Sequence, residues 1–141
     1  MTIFVDTNIL LDFLLGREAF FPEARTIFAI CEKNYVQGYI SVLSIPNIVY
    51  IMRKGLTQER IFEVISILQK VFKVADLKAS DINNAKALKF ADFEDALQAV
   101  AAKRVNADFI ITRNLKDFAN SKVTALTPGE LLTRLKEISS E

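Results

Sequence analysis

The chain has 141 residues, 51% of them hydrophobic, with a net charge of +1 and no histidine. That size supports one compact domain, 1–141, with a sizeable core, while so small a charge offers no global field for a polyanion. Lacking histidine, the chain excludes Ser-His-Asp and Cys-His machinery, His-ligated zinc and a histidine general base, and leaves chemistry to Asp, Glu, Asn, Lys, Arg, Ser, Thr or Tyr.

TIFVD (2–6) reads as a strand buried on both faces, ending at Asp6. TNILLDFLLG follows with helical spacing, Thr7 as its N-cap and Gly16 as its stop. From Pro22 to Asn34, Ala24, Ile27, Phe28, Ala29 and Cys31 recur at helical intervals. YISVLS after Gly38 has strand composition, and a helix over 45–54 is opened by Ser44 and Pro46 and closed by Gly55. Thr57 starts another helix, striped by Ile61, Val64, Ile65 and Leu68. VFKVAD (71–76) reads as a strand, and Ser80 caps a helix to about Leu88. Asp92 opens an Ala-rich helix with Phe93, Ala96, Leu97, Val100 and Ala101 turned inward. ADFIITRN (107–114) and KVTAL (122–126) are the last strands, and Thr127-Pro128 begins a terminal helix to about Leu135, beyond which EISSE is expected to fray.

Only 4 Gly and 3 Pro occur, so short connections are expected. The apolar runs are too short and too broken by charge to cross a bilayer, and no basic n-region precedes a hydrophobic core. With Cys31 alone there is no internal disulfide, and its apolar helical setting reads as a buried thiol in a cytoplasmic protein. Strands separated by helices predict an α/β fold whose mostly parallel sheet is covered on both faces. Sites in such sheets form outside the carboxyl ends of the strands, where Asp6 stands.

Three further acids share that edge. Asp92 and Asp95 begin the Ala-rich helix, and Asp117 follows the strand ADFIIT by one short turn. Two unit charges 4 Å apart repel by about 4 kcal/mol at a dielectric near 20, so gathered carboxylates require shared protons or a cation. Oxygen donors without histidine favour Mg²⁺ or Mn²⁺, which acidify water and stabilise charge on a phosphate in an in-line displacement. Each acid also has a plain structural reading. Asp92 suits an N-cap with Asp95 as its third residue, Asp117 suits the cap of a turn around Phe118, and Asp12 suits a solvated helix face. Arg113 and Lys116 flank Asn114 and Asp117 and are placed to contact phosphates, whereas Arg53-Lys54 and Lys103-Arg104 suit the helix dipole. The Phe residues follow the apolar stripes and read as core.

VDTNILLD, SVLSIPNIVYIMRK, FEDALQAVAA and ADFIITRNLKDF, in that order and across nearly the whole chain, resemble the PIN-domain family of metal-dependent nucleases, particularly toxins of the VapC type. The resemblance implies an α/β/α sandwich that hydrolyses RNA, often as a homodimer and held inactive by an antitoxin segment. By it Asp6, Asp95 and Asp117 are the metal-binding acids, Asn114 is the polar residue beside the last of them, and Asp92 and Asn8 support the site. One departure stands out: the position of the family's usual Glu after the second strand is taken by Asn47, which removes one negative charge and implies weaker metal binding and activity, with a degenerate module that binds RNA without cutting it as the alternative. Haloacid-dehalogenase-like phosphohydrolases resemble FVDTN superficially, but they use Asp-x-Asp and the second position here is Asn8.

Overall fold

The computed structural model describes residues 1–140. The first half runs β1 (Thr2–Val5), α1 (Thr7–Leu14), α2 (Phe21–Glu32), β2 (Gln37–Ser41), α3 (Ser44–Met52) and α4 (Gln58–Val71). The second half runs β3 (Lys73–Ala75), α5 (Asp81–Leu88), α6 (Phe93–Arg104), β4 (Phe109–Ile111), a 3₁₀ turn (Leu115–Phe118), β5 (Ala125–Leu126) and α7 (Pro128–Ser139). The strands form one sheet in the order β3-β2-β1-β4-β5, and every pairing is parallel.

Alternation in β1 builds two cores. Ile3 and Val5 join α1, α2, α4 and α7 through residues such as Leu10, Ile27, Leu68 and Leu131. Phe4 faces the other way, onto Ile110 and the alanines Ala99, Ala101 and Ala102 of α6. Both faces being covered, the sheet is the middle layer of an α/β/α sandwich. The small side chains of α6 let that helix approach closely, and full burial of Phe4 contributes about 2–3 kcal/mol over exposure. At Gly38 of β2 a Cβ would stand 2.6 Å from Cys31 Sγ and 2.8 Å from Phe72 Cδ1, so the strand seats against α2 and the residue just after α4 only without a side chain there.

Several boundaries differ from the sequence expectations. Asp6 itself occupies the N-cap position of α1, and Thr7 is the first helical residue, its hydroxyl paired with that of Ser44 at 2.6 Å. β2 begins earlier than YISVLS and stops at Ser41, because Ser44 is already helical. β3 is cut to three residues since Val71 still belongs to α4. Ser80 makes no cap bond; the buried Asp81 carboxylate accepts the Lys78 N–H instead, at 2.9 Å. Phe93 is 43% exposed rather than inward, and Gln98, Ala99 and Ala102 are buried beside Ala96 and Leu97. α7 passes Leu135 and continues to Ser139, anchored at its start by a capping box between Thr127 and Glu130. Gly16 does follow α1, with φ +61°. Cys31 is buried, which pushes its thiol up to about 12. Among the described residues no helix is long and apolar enough to cross a membrane.

Candidate active site

Strand order reverses at β1, whose neighbours are β2 on one side and β4 on the other. In open parallel sheets that reversal leaves a crevice at the carboxyl edge. Asp6 stands in it, one residue past β1, its own N–H donating to Ile111 O at 3.0 Å. The side chain is 3% exposed; Oδ2 accepts from Thr112 Oγ1 at 2.9 Å and Oδ1 from Gln98 Nε2 at 3.1 Å. Thr112 Oγ1 in turn accepts the Asn114 N–H at 3.1 Å, which links Asp6 to the loop after β4. Burial raises the Asp6 pKa, opposed by the Thr112 and Gln98 bonds and by the nearby Thr7 and Asn8 amides. Gln98 Oε1 is the one buried side-chain atom among the described residues that lacks a partner.

The second contribution comes from the start of α6. Asp92 is its N-cap, accepting the Asp95 N–H at 3.0 Å, so the capping reading of Asp92 describes a bond that is made. Asp95 returns no reciprocal bond to the Asp92 N–H, which leaves its carboxylate to the crevice. Its pKa is pushed up to about 7, chiefly by burial and then by Asp6, Asp92, Asp117 and Glu94. One carboxyl thus feels four others from three parts of the chain. The 3₁₀ turn brings exposed Asp117, with Asn114 just before it, while Asn47 of α3 donates to Glu94 Oε2 at 3.1 Å. Asp6, Asn8, Asn47, Asp92, Asn114 and Asp117 line one cavity of about 410 Å³ together with Asp95, Glu94 and Gln98. A larger cavity of about 500 Å³ lies elsewhere, so chemistry rather than size singles out the acidic one.

Two sequence readings need correction. Asp12 is not a solvated residue: it is fully buried, accepts from Arg113 Nε at 2.7 Å and Nη2 at 3.1 Å, and pairs with Arg17 Nη1 at 3.2 Å. Arg113, expected among the phosphate contacts, is therefore spent on Asp12, stacks 3.9 Å over the Phe20 ring and lines a neighbouring cavity. A sequence separation of 101 residues hides such a pair from local pattern. Lys116 stays exposed on the 3₁₀ turn. Glu94, Gln98 and Thr112 belong to the site without being marked by the sequence pattern. Glu94 has a signal only in the acidic start of α6, and the buried polar pair has none.

Do these residues suit a cation? The donors are hard oxygens and the clustered charge needs neutralising, as a divalent ion would do. Gln98 Oε1 is an orphan that a hydrated ion could satisfy. Among the described residues, however, no three acidic side chains close around a common point. The set fits an ion that keeps much of its water and takes one or two carboxylates directly, the usual habit of Mg²⁺.

Residues 2–116 match the family model described as PIN domain. No curated protein matches the sequence. Among solved structures, a toxin–antitoxin complex from Klebsiella pneumoniae is 26% identical, covers 89% of this chain and 97% of its own, and superposes with a TM-score of 0.68. VapBC2 from Rickettsia felis, bound to a DNA fragment from its promoter, is 18% identical, with 90% and 98% covered and a TM-score of 0.70. VapC20 of Mycobacterium tuberculosis, a Sarcin-Ricin loop cleaving toxin, is 16% identical, with 77% and 86% covered and a TM-score of 0.62.

Proposed function

Given that this chain belongs to the PIN-domain family, we propose that it is a Mg²⁺- or Mn²⁺-dependent endoribonuclease, the toxin of a toxin–antitoxin pair. The observation that carries the reading is the gathering of Asp6, Asp95 and Asp117, with Asp92 and Glu94, around one cavity at the strand-order reversal, where burial first and then the neighbouring acids raise the Asp95 pKa. A divalent ion bound there supplies electrostatic stabilisation of charge on the phosphodiester and acidifies water. Asp6, Asp95 and Asp117 are the residues that would hold it. Thr112 and Gln98 fix the Asp6 carboxylate in one orientation, which spares reorganisation when a cation or substrate arrives. The raised pKa of Asp95 makes its carboxyl the group in the crevice for which a proton and a cation would compete most directly.

Asn47 favours a second reading, an RNA-binding module without catalysis. Against it, Asn47 holds Glu94 at the same corner, so the carboxylate missing from α3 is offered by α6. An aspartyl-phosphate mechanism suits the site less well, since a buried Asp6 with two donors is a poor nucleophile. The antitoxin partner is supported by the Klebsiella pneumoniae complex, which is similar over nearly its whole length. Homodimerisation and a cytoplasmic location complete the proposal by family resemblance.

The test is RNA cleavage with added Mn²⁺ by the wild type, Asp6→Asn and Asp95→Asn. The wild type is expected to cut and both variants to lose at least about a hundredfold, the scale of removing a charge that acts in the transition state. Equal cutting by all three means a contaminating nuclease or a misplaced site. Binding without divalent-dependent cutting by any of them returns the non-catalytic module.

A further inference from the structure

A second cluster lies outside the acidic crevice. The cavity of about 500 Å³ is lined by Lys78 from the segment after β3, Lys103 and Arg104 from the end of α6, and Lys122 from the segment before β5. Arg104 is committed: it pairs with the buried Asp81 and reaches Asp76 at 2.9 Å. Lys78, Lys103 and Lys122 are exposed and, among the described residues, pair with no carboxylate. With Arg104 neutralised by Asp81 and Asp76, three lysines are left around one cavity, on a chain whose net charge is only +1. The helix dipole accounts for Lys103 and Arg104, but not for lysines arriving from two other segments. Ala99 and Val100 add an apolar wall suited to sugar or base edges.

Position supplies the rest. α6 belongs to both sites, Asp92 and Asp95 at its start lining the acidic crevice and Lys103 at its end lining the cationic cavity. Eleven residues separate Asp92 from Lys103, which puts the two about 16 Å apart along the helix axis. We propose that Lys78, Lys103 and Lys122 form a phosphate-binding site for the RNA strand a few nucleotides away from the phosphate held at the acidic crevice. This rests on the ribonuclease reading, and it gives a nearly neutral molecule the local patch that a polyanion requires. Contacts of this kind hold and register the strand without reading its bases.

Binding of a fluorescent single-stranded oligouridine is to be measured from 50 to 300 mM salt with EDTA present, so that no cutting intervenes. Each phosphate contact contributes about 0.7 to the slope of log affinity against log salt for a single strand. The triple variant Lys78→Gln/Lys103→Gln/Lys122→Gln is expected to lose about 2 from that slope and at least about tenfold in affinity near 100 mM salt. The control Lys33→Gln/Lys70→Gln/Lys136→Gln makes the same change in net charge and is expected to keep the wild-type slope. Equal slopes for the two triple variants overturn the proposal. Displacement of the oligonucleotide by polyglutamate or by a mononucleotide as effectively as by unlabelled RNA also overturns it, because the cavity then takes any anion. Failure of the nuclease reading shows separately, as absent divalent-dependent cutting by the wild type, without altering these slopes.

Discussion

At the scale of single residues, the site depends on how a buried carboxylate is tolerated. Asp6 keeps its place because Thr112 and Gln98 each give it a hydrogen bond, and Thr112 also receives the Asn114 N–H. Thr112→Val keeps the shape but removes both of its bonds, leaving a buried acceptor underserved and an N–H without a partner. A loss of about 1–3 kcal/mol is expected, read as a lower urea midpoint at unchanged slope, together with weaker divalent binding. An unshifted midpoint would mean that Thr112 is only a space-filler. The sequence shows Asp6, Asp95 and Asp117 through their placement at strand and helix ends, a positional signal that needs no tertiary knowledge. Gln98 sits among alanines and Thr112 among β-branched residues, where neither spacing nor composition marks a polar side chain as functional. Asp12 is illegible for a related reason: helical spacing places it, but only the fold brings Arg113 to it.

At the scale of elements, apolar periodicity and end signals are enough to find the five strands and seven α-helices of the described residues, while their limits are set by neighbours. Val71 could have extended β3, yet it packs into the α1–α2–α4 core as the last residue of α4. Likewise, α7 outruns its expected end because its helix-forming tail meets no stop signal before Ser139. Glycine carries different information. The sequence places the strand after Gly38, whereas the structure puts this glycine inside β2, pressed on Cys31 and Phe72. Gly38→Ala should cost about 1–3 kcal/mol by overpacking. Because the tighter of the two contacts is to the sulfur, adding Cys31→Ala should restore part of that loss, measured as partial recovery of Tm. A Gly38→Ala protein as stable as the wild type would show that α2 and the strand can slide apart freely.

Across the whole molecule, the acidic crevice joins distant parts of the chain, Asp6 after β1, Asp95 on α6 and Asp117 beyond β4, so its charge state is linked to folding itself. Asp95 titrates at about 7 in the folded chain against an ordinary 3.8, and Asp6 is raised as well. The folded state therefore binds more protons than the unfolded chain between roughly pH 4 and 7, and stability must fall as pH rises through that window. The contribution is fully present below the unfolded pKa and gone once Asp95 has ionised in the fold. With a chelator present, Tm should decline from pH 5 to pH 8, and Asp95→Asn should flatten much of that decline by removing the carboxyl whose pKa is raised into that range. Millimolar Mn²⁺ should raise Tm more at pH 8 than at pH 5, because protons compete with the cation for the same carboxylates. A pH-independent effect of Mn²⁺ would place the ion away from these acids, and an unaltered profile in Asp95→Asn would mean that other groups carry the linkage.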